Sequence, residues 1–137
     1  MAIIAYLNFN GNCREAMEYY RDVFNGKNFS VMTLGDMPPE GGFDINEDNK
    51  ELIMHGYLEV FDTAIMFSDT LPHMNLIFGN NIHLNISLND LDDLKLVFEK
   101  MRIEGKVVVE LGETSWTKAY GYMIDKFGIG WMFNYQE

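Results

Sequence analysis

Three histidines are the side chains of this sequence best suited to proton transfer or metal binding near neutral pH. They are His55, His73 and His83, and no two have the i, i+4 or His-x-His spacing that brings two imidazoles to one metal ion. A site built from His55 or His73 with nearby acids is an alternative, although exposed or hydrogen-bonded histidines are the commoner outcome. Cys13 has no neighbouring base in the sequence that would activate its thiol. The spacing therefore predicts neither a local metal motif nor a catalytic thiol.

Composition limits the classes of partner. The chain has 137 residues, of which 47% are hydrophobic and 14% aromatic, so we expect one folded domain. A formal net charge of -11 with only ten Lys and Arg residues argues against nucleic acid and against an anionic membrane surface. The single cysteine excludes an internal disulfide, and the N-terminal segment MAIIAYLNFN has neither a basic region nor a small-residue cleavage site. No segment approaches the ~20 apolar residues of a membrane span. We expect a cytoplasmic protein.

The elements that must position any site begin with a strand over residues 2–10 and a helix after it. The run AIIAYLNFN is rich in apolar and aromatic residues, and strand alternation places Ala5, Leu7 and Phe9 on one face. Asn12 is predicted to be the N-cap of the helix, with Glu15 in a capping-box relation. Asn25-Gly26 is predicted to end the helix, because both residues tolerate the left-handed conformation.

The same pattern returns at residues 82–106. Alternation from Ile82 to Leu88 predicts a strand, Asp90 is the predicted N-cap with Asp93 behind it, and a helical pattern runs to Gly105. Each helix is followed by Gly-Lys and a β-rich run, and two further β-rich runs follow in each half. These runs are residues 29–34, 51–60 and 63–70 in the first half, and 106–111, 119–125 and 129–135 in the second. Each half is therefore predicted to be a β-α-β-β-β unit.

Two segments depart from the repeat. Residues 35–50 are rich in Pro, Gly and acidic residues, which is typical of either a mobile flap or a solvated loop. Residues 71–80 link the halves, and their apolar side chains are expected to cover a core or a partner chain. We therefore predict a single domain over 1–137, with module one at 1–70, a linker at 71–80 and module two at 81–137.

The paired units, the opening YLNFNGNCREAMEYY and the closing SWTKAYGYMIDKFGIGWMFN resemble the PhnB-like branch of the vicinal oxygen chelate superfamily. This superfamily also holds glyoxalases, extradiol dioxygenases and proteins of bleomycin and fosfomycin resistance. The resemblance implies an α+β fold in which two βαβββ modules form glyoxalase-like half-barrels around a shared cavity. It also implies a homodimer. Thr117 departs from the Gly that usually follows the Trp of this family, which puts the shape of that loop in question.

The resemblance supplies a metal-ligand test. Functional members of the superfamily commonly hold a divalent metal with a His, Gln or Glu from the first and last strands of each half. The matching positions here are His83 and, by alignment of the two copies, Tyr6 or else Ala5, together with Met66 and Met132. One imidazole without a carboxylate is a poor donor set for Zn, Ni or Fe(II). We therefore expect no metal and no other cofactor, with a divalent metal as the alternative.

A ligand pocket remains the main expectation. Imidazole is the side chain most often used as a general base, and Tyr6 is the candidate partner of His83, so these two are the candidate catalytic residues. Strand alternation and the family resemblance together supply the candidate pocket residues, which are Asn8, Met66, Ser68, Asn85, Ser87, Trp116, Tyr120, Tyr122, Met132 and Asn134.

The resulting hypothesis is a PhnB-like, homodimeric small-molecule-binding protein whose ligand the sequence does not name. One alternative is an enzyme of the same superfamily, either metal-dependent or using His83 as the base. Another is a non-catalytic protein that sequesters a toxic compound. Methyl transfer is disfavoured, because no strand is followed by a glycine-rich loop and helix that would hold S-adenosylmethionine.

Overall fold

Two β-α-β-β-β modules make up the fold, as predicted. A computed structural model describes residues 1–38, 42, 44–71 and 73–137. Module one consists of β1 (Ala5–Phe9), α1 (Cys13–Phe24), β2 (Lys27–Thr33), a 3-10 turn (Leu34–Asp36), β3 (Ile53–Val60) and β4 (Thr63–Asp69). Module two consists of β5 (Leu84–Leu88), α2 (Leu91–Arg102), β6 (Lys106–Gly112), β7 (Tyr120–Ile124) and β8 (Gly130–Tyr135).

Each module forms one four-stranded sheet. The strand order is β1-β4-β3-β2 in module one and β5-β8-β7-β6 in module two. In both sheets the first strand pairs in parallel with the last, and the other neighbours are antiparallel. Among the described strands, each sheet stays open and does not close into a barrel. The βαβββ prediction is therefore confirmed, whereas the shared cavity stays a prediction.

The chain divides into two compact units, Met1–Ile77 and Phe78–Glu137. The boundary falls inside the predicted linker at 71–80. Each unit contains one complete module, so each sheet has its own helix and its own buried side chains.

Each helix buries one side against its sheet. Gly56 of β3 and Gly121 of β7 lie beneath the helices, where a Cβ atom would come within 2.4 Å of Met17 Sδ and 2.8 Å of Phe98 Cε2. Glycine at these two positions lets the helices approach the strands closely. The buried helix residues recur at helical spacing, as predicted, and are Ala16, Met17, Tyr20, Val23 and Phe24 in α1, and Leu94, Val97, Phe98 and Met101 in α2.

The two helix N-termini are capped differently. The Asp90 carboxylate accepts a hydrogen bond from the backbone N–H of Asp93 at 3.1 Å, which confirms the predicted cap of α2. Asn12 is the N-cap residue of α1, but its side chain accepts no capping bond, so the predicted capping box there is wrong. At the other end of α1, Asn25 has φ 53° and the left-handed conformation, as predicted.

Asp69 takes over the role predicted for Asn12. It lies at the end of β4, and its Oδ1 accepts the backbone N–H groups of Gly11 and Cys13 at 2.9 Å each. Its Oδ2 accepts the N–H of Ile53, also at 2.9 Å. A buried carboxylate needs such donors, and the first turn of a helix offers N–H groups without helical partners. Asp69 therefore joins β4, the start of α1 and the start of β3.

Asp125 is the buried carboxylate of module two, where it shapes the turn between β7 and β8. Its Oδ1 accepts the backbone N–H groups of Phe127 and Ile129 at 2.8 and 3.1 Å, and its Oδ2 accepts the indole N–H of Trp131 at 2.8 Å. Gly128 in this turn has φ 92°, which favours glycine. The predicted hairpin at residues 126–128 is confirmed, as is that at Phe61-Asp62, where both residues have positive φ.

Several strands are shorter than the sequence predicted, β1 by the most, and two segments are only partly described. β1 begins at Ala5 and β5 at Leu84, so Ile82 and His83 precede the strand. The predicted flap or loop at 35–50 includes residues 39–41 and 43, which lie outside the described residues, as does residue 72 of the linker. Within the linker Phe78 packs on Gly128, while Ile77 is exposed.

The described helices include none long and apolar enough to cross a membrane.

Candidate functional site

In each module the helix covers one face of the sheet, and the other, here called the helix-free face, carries the polar and aromatic candidates. Alternation along the strands separates the two faces. On the helix-free face of module one lie Tyr6, Asn8, Met66 and Ser68, and on that of module two lie Asn85, Ser87, Tyr120, Tyr122, Met132 and Asn134. The structure thus brings most of the predicted pocket residues together within their own modules.

The strand register defines which residues of the two modules correspond. Met66 lies opposite Tyr6 on β1 and Tyr57 on β3. Met132 lies in the same way opposite Asn85 on β5 and Tyr122 on β7. Tyr57 therefore corresponds to Tyr122, and Tyr6 corresponds to Asn85.

The sequence alignment that equated Tyr6 with His83 is therefore wrong by two residues. Counting back from the paired positions, the counterpart of His83 is Ile4, and Ala5 corresponds to Leu84. The shared Leu-Asn pairs at 7–8 and 84–85 suggested the incorrect register. The connection from β1 to α1 is one residue longer than that from β5 to α2. Aligning the two helix starts therefore does not align the two strands.

His83 forms a hydrogen-bonded pair with Tyr122. Its Nε2 lies 2.9 Å from the Tyr122 hydroxyl, and the two ring centroids are 4.6 Å apart. A Cβ atom at Gly130 would lie 2.5 Å from His83 Cδ2, so the imidazole packs directly on this glycine. Both aromatic rings are half-buried. Gly130 and Tyr122 together fix the orientation of the imidazole.

A paired imidazole and phenol can hold or exchange a proton with a bound molecule. Either group can donate in the hydrogen bond between them, depending on the tautomer of the imidazole. His83 was predicted as a candidate base, whereas Tyr122 was predicted only as pocket lining. The predicted catalytic role of Tyr6 stays a prediction. Tyr6 lies in the other unit, where the nearby ring is His55, at a centroid distance of 6.2 Å.

The remaining polar candidates form hydrogen bonds to other side chains of the same module. Ser68 donates to the side-chain oxygen of Asn8 at 3.1 Å in module one. In module two the amide group of Asn134 donates to the side-chain oxygen of Asn85, and Ser87 donates to Gln136 at 2.8 Å. These bonds hold the side chains in place beside Met66 and Met132.

Sequence reasoning missed Tyr57 and Glu59 on the helix-free face of module one. The Tyr57 hydroxyl donates to Glu59 Oε1 at 3.2 Å. Burial, with a further effect of the Glu59 carboxylate, raises the pKa of Tyr57 above its ordinary value. The sequence does contain a signal for Tyr57, because the pair Gly-Tyr occurs at 56–57 and again at 121–122 on equivalent strands. The two equivalent tyrosines therefore have different partners, a carboxylate in one module and an imidazole in the other.

The aromatic loop between β6 and β7 forms a separate pocket. Its volume is about 540 Å³, and its walls come from residues 113–118 and 135–137. Trp116 lines it and packs against Tyr120, with ring centroids 5.7 Å apart. Thr117, the departure from the usual family sequence, donates its hydroxyl to the Tyr135 carbonyl at 2.8 Å. The Thr117 side chain thereby attaches this loop to the end of β8.

The donor set does not fit the divalent metal of the superfamily. His83, the single imidazole among the four expected positions, lies before β5 and is hydrogen-bonded to Tyr122. Within the residues that the structure describes, no three His, Cys, Asp or Glu side chains are grouped as metal ligands would be.

The topology of paired βαβββ modules, with polar side chains on the helix-free faces, defines a protein of the glyoxalase fold. The glyoxylase/bleomycin resistance protein/dioxygenase domain of Frankia sp. EAN1pec has the same fold, with a TM-score of 0.70 and 12% identity over 100% of this chain and 98% of that one. A family model described as 3-demethylubiquinone-9 3-methyltransferase matches residues 1–133. The chain belongs to this PhnB-like family.

Two relatives extend this similarity over the whole chain. Protein YjdN of Escherichia coli (strain K12) is 26% identical over 145 residues, covering 98% of this chain and 95% of YjdN. The crystal structure of protein PA1353 from Pseudomonas aeruginosa matches with a TM-score of 0.87 and 30% identity, covering 99% of this chain and 98% of that one. Neither name states a ligand or an activity.

Proposed function

We propose that the protein binds a small organic molecule on the helix-free face of module two, with the His83–Tyr122 pair as its hydrogen-bonding anchor. The 2.9 Å bond between these two side chains is the observation that carries the proposal. The pair consists of an imidazole, which is an acid-base group, and a phenol. Beside them on the same face lie the thioether of Met132 and the amides of Asn85 and Asn134. A few directed polar groups beside apolar side chains are typical of small-molecule sites.

The ligand chemistry follows from these groups. An imidazole and a phenol can each donate or accept a hydrogen bond, so together they suit an enol or hydroxyl group, which does both, or a carbonyl oxygen, which only accepts. The adjacent methionine suits an apolar or aromatic portion of the same molecule. We propose a neutral or weakly polar oxygen-containing compound as the ligand.

A screen of such compounds, read out on methionine methyl resonances by NMR, tests the proposal. A binder is expected to shift the Met132 methyl signal, assigned from Met132→Leu, and to lose affinity by about tenfold in His83→Gln. Tyr57→Phe is the matched control, because Tyr57 is the equivalent tyrosine of module one. Binding that responds to Tyr57→Phe and is insensitive to His83→Gln would contradict the proposal.

Gly130→Ala provides a second test that keeps both polar groups. The added methyl group meets the His83 ring, so the imidazole has to move away from Tyr122. The equivalent residue of module one is Ala64, which shows that this strand position accommodates a methyl group when no histidine faces it. We expect a folded variant that binds the ligand at least tenfold more weakly. Unchanged affinity would show that the orientation of His83 has no part in binding.

The second candidate is an enzyme that uses His83 as general base, and the same hydrogen bond favours it. The imidazole would accept a proton from the bound molecule while Tyr122 holds the ring and offers its hydroxyl to the developing charge. Turnover of a bound compound is expected to be lost in His83→Ala and to show an altered pH profile in Tyr122→Phe. If every ligand found is bound but not turned over, the enzyme hypothesis is contradicted and ligand binding alone is the function.

The name of the family model does not extend to a methyltransferase mechanism. The turn from β1 to α1 contains one glycine, Gly11, and the turn from β5 to α2 contains none. A loop that holds S-adenosylmethionine or a dinucleotide after a strand normally needs several glycines. We therefore do not propose methyl transfer for this chain.

We propose in addition a cytoplasmic homodimer. In the first unit Ile77 is about four-fifths exposed and Met74 is half-exposed, and these apolar side chains support contact with a second copy. The single cysteine supports a reducing compartment. Light scattering after gel filtration is expected to give twice the chain mass, and Ile77→Lys is expected to lower it. A monomeric wild-type protein at micromolar concentration would contradict the dimer.

A further inference from the structure

We propose that the pocket between the β6–β7 loop and the end of β8 is a second site, which binds planar organic cations on the face of Trp116. The pocket is formed by residues 113–118 and 135–137 and has a volume of about 540 Å³. Ligand pockets commonly have about 300–1,000 Å³, so a two-ring molecule fits this volume. Neither His83 nor Tyr122 lines this pocket.

Trp116 supplies a stacking wall. Its side chain is 70% exposed although it lines a pocket, and Tyr120 supports the indole at a centroid distance of 5.7 Å. The Tyr120 ring is tilted by 60° to the indole, and most of the Trp116 side chain is free for a ligand. The face of an indole attracts cations more strongly than that of any other aromatic side chain.

The charges around the pocket favour a cation over an anion. Its walls contain two carboxylates, Glu113 and Glu137, and one ammonium group, Lys118. Lys118 is already engaged, with its Nζ 3.6 Å from Glu137 and 5.3 Å from the centre of the Tyr135 ring. Glu113 has no ion-pair partner in the part of the chain that the structure describes. The formal net charge of -11 adds a general attraction for cations.

The loop that carries Trp116 is held in place before any ligand arrives. Thr114 Oγ1 accepts the backbone N–H groups of Trp116 and Thr117 at 3.3 and 3.2 Å. The Thr117 hydroxyl donates to the Tyr135 carbonyl at 2.8 Å, and the Tyr135 N–H donates to the Ala119 carbonyl at 2.9 Å. A wall that is already ordered lowers the entropic cost of binding.

The two sites lie toward opposite ends of β8. His83 packs on Gly130 at the start of the strand, whereas the pocket contains Tyr135 at its end. Five residues of extended chain separate these positions by about 16 Å. A small ligand in one site therefore does not reach the other, and the two sites can be tested separately.

Titration with 1-methylquinolinium, followed by the two indole N–H resonances in nitrogen-15 NMR spectra, tests the proposal. The chain has two tryptophans, and Trp131 is buried with its N–H bonded to Asp125. We expect the Trp116 resonance to shift with saturation and the Trp131 resonance to stay unchanged. 1-Naphthoate, an anion of similar shape, is expected to bind at least tenfold more weakly.

Three variants sharpen the test. Trp116→Ala should lower the affinity for 1-methylquinolinium by about tenfold, with Trp131 reporting that module two is still folded. At low salt Glu113→Gln should weaken binding by about twofold, and Lys118→Gln should strengthen it by a similar factor. Equal or tighter binding of 1-naphthoate, full affinity in Trp116→Ala, or charge effects of the opposite sign would each overturn the proposal.

Discussion

The two modules have the same strand order, but each is stabilised internally by a different buried carboxylate. In module one Asp69, only 7% exposed, accepts three backbone N–H groups, from Gly11, Cys13 and Ile53. In module two Asp125, 4% exposed, accepts two backbone N–H groups and the indole N–H of Trp131. Both carboxylates accept N–H groups, yet one connects a helix to two strands and the other closes a hairpin.

The counterparts of these residues show how far the modules have diverged. By strand register Asp69 corresponds to Tyr135, and Asp125 corresponds to Val60. Neither buried carboxylate is therefore required by the βαβββ topology itself. The apolar pattern of strands and helix is what the modules share, while each polar network belongs to one module.

Asp69→Ala is expected to have the largest effect on stability. It leaves three backbone N–H groups without their acceptor and removes a negative charge from the N-terminus of α1, so we expect a loss of about 4 kcal/mol. Urea unfolding followed by circular dichroism measures the loss, and amide exchange at Ile53 should accelerate. Asp22→Ala, an exposed position on α1, should change stability by less than about 0.5 kcal/mol. Comparable losses in both variants would contradict the role of Asp69.

Asp125→Asn should destabilise module two by about 2 kcal/mol, less than the loss from Asp69→Ala. The asparagine oxygen can still accept the N–H groups of Phe127 and Ile129, but its amide group then faces the indole N–H of Trp131 and two donors meet. Urea unfolding measures the loss, and the Trp131 indole resonance should move. A larger loss than that of Asp69→Ala would show that the hairpin matters more than the helix junction.

Gly121→Ala should cost about 2 kcal/mol, and the equivalent Gly56→Ala about 1 kcal/mol. A Cβ at Gly121 would meet the rigid Phe98 ring at 2.8 Å and the Leu111 Cα at 3.2 Å. At Gly56 the nearest atoms belong to the flexible thioether end of Met17, which can turn aside. Thermal unfolding of the two variants compares them directly. The reverse order would show that the methionine is held as firmly as the phenylalanine ring.

The smallest expected effect comes from the helix caps. Asp90→Ala removes the side-chain bond to the Asp93 N–H and should cost about 1 kcal/mol. Asn12→Ala should cost less than about 0.3 kcal/mol, because the Asn12 side chain makes no such bond and Asp69 supplies the acceptor instead. Urea unfolding of this pair measures the difference. Equal losses would mean that Asn12 stabilises α1 by another route.

Local patterns were enough to predict most of the fold. The alternation of strand residues, the helical spacing of buried residues such as Met17 and Phe98, and the cap at Asp90 all depend on neighbours close in sequence. The capping box at Asn12 failed because its competitor, Asp69, lies 56 residues away from Cys13 in the chain. Nothing near Asn12 in the sequence indicates that a carboxylate from β4 reaches the start of the helix.

The candidate site was predicted less completely, for a related reason. Alternation placed Asn85, Met132 and Asn134 on one face, since it needs only the sequence of each strand. The partner of His83 depends on the register between β5, β8 and β7, and a two-residue error in aligning the modules pointed to Tyr6. Tyr122 was among the aromatic candidates, but only the paired strands bring its hydroxyl to the imidazole.

Because Cys13 is buried, its thiol can be used to measure local unfolding of module one in the unaltered chain. It is the one cysteine of the sequence, it has no exposed surface, and burial together with the charge of Asp69 raises the pKa of its thiol. A thiol-specific label should therefore react only with molecules in which module one has opened around the start of α1. The labelling rate then measures how often this unit opens under native conditions, without an introduced probe.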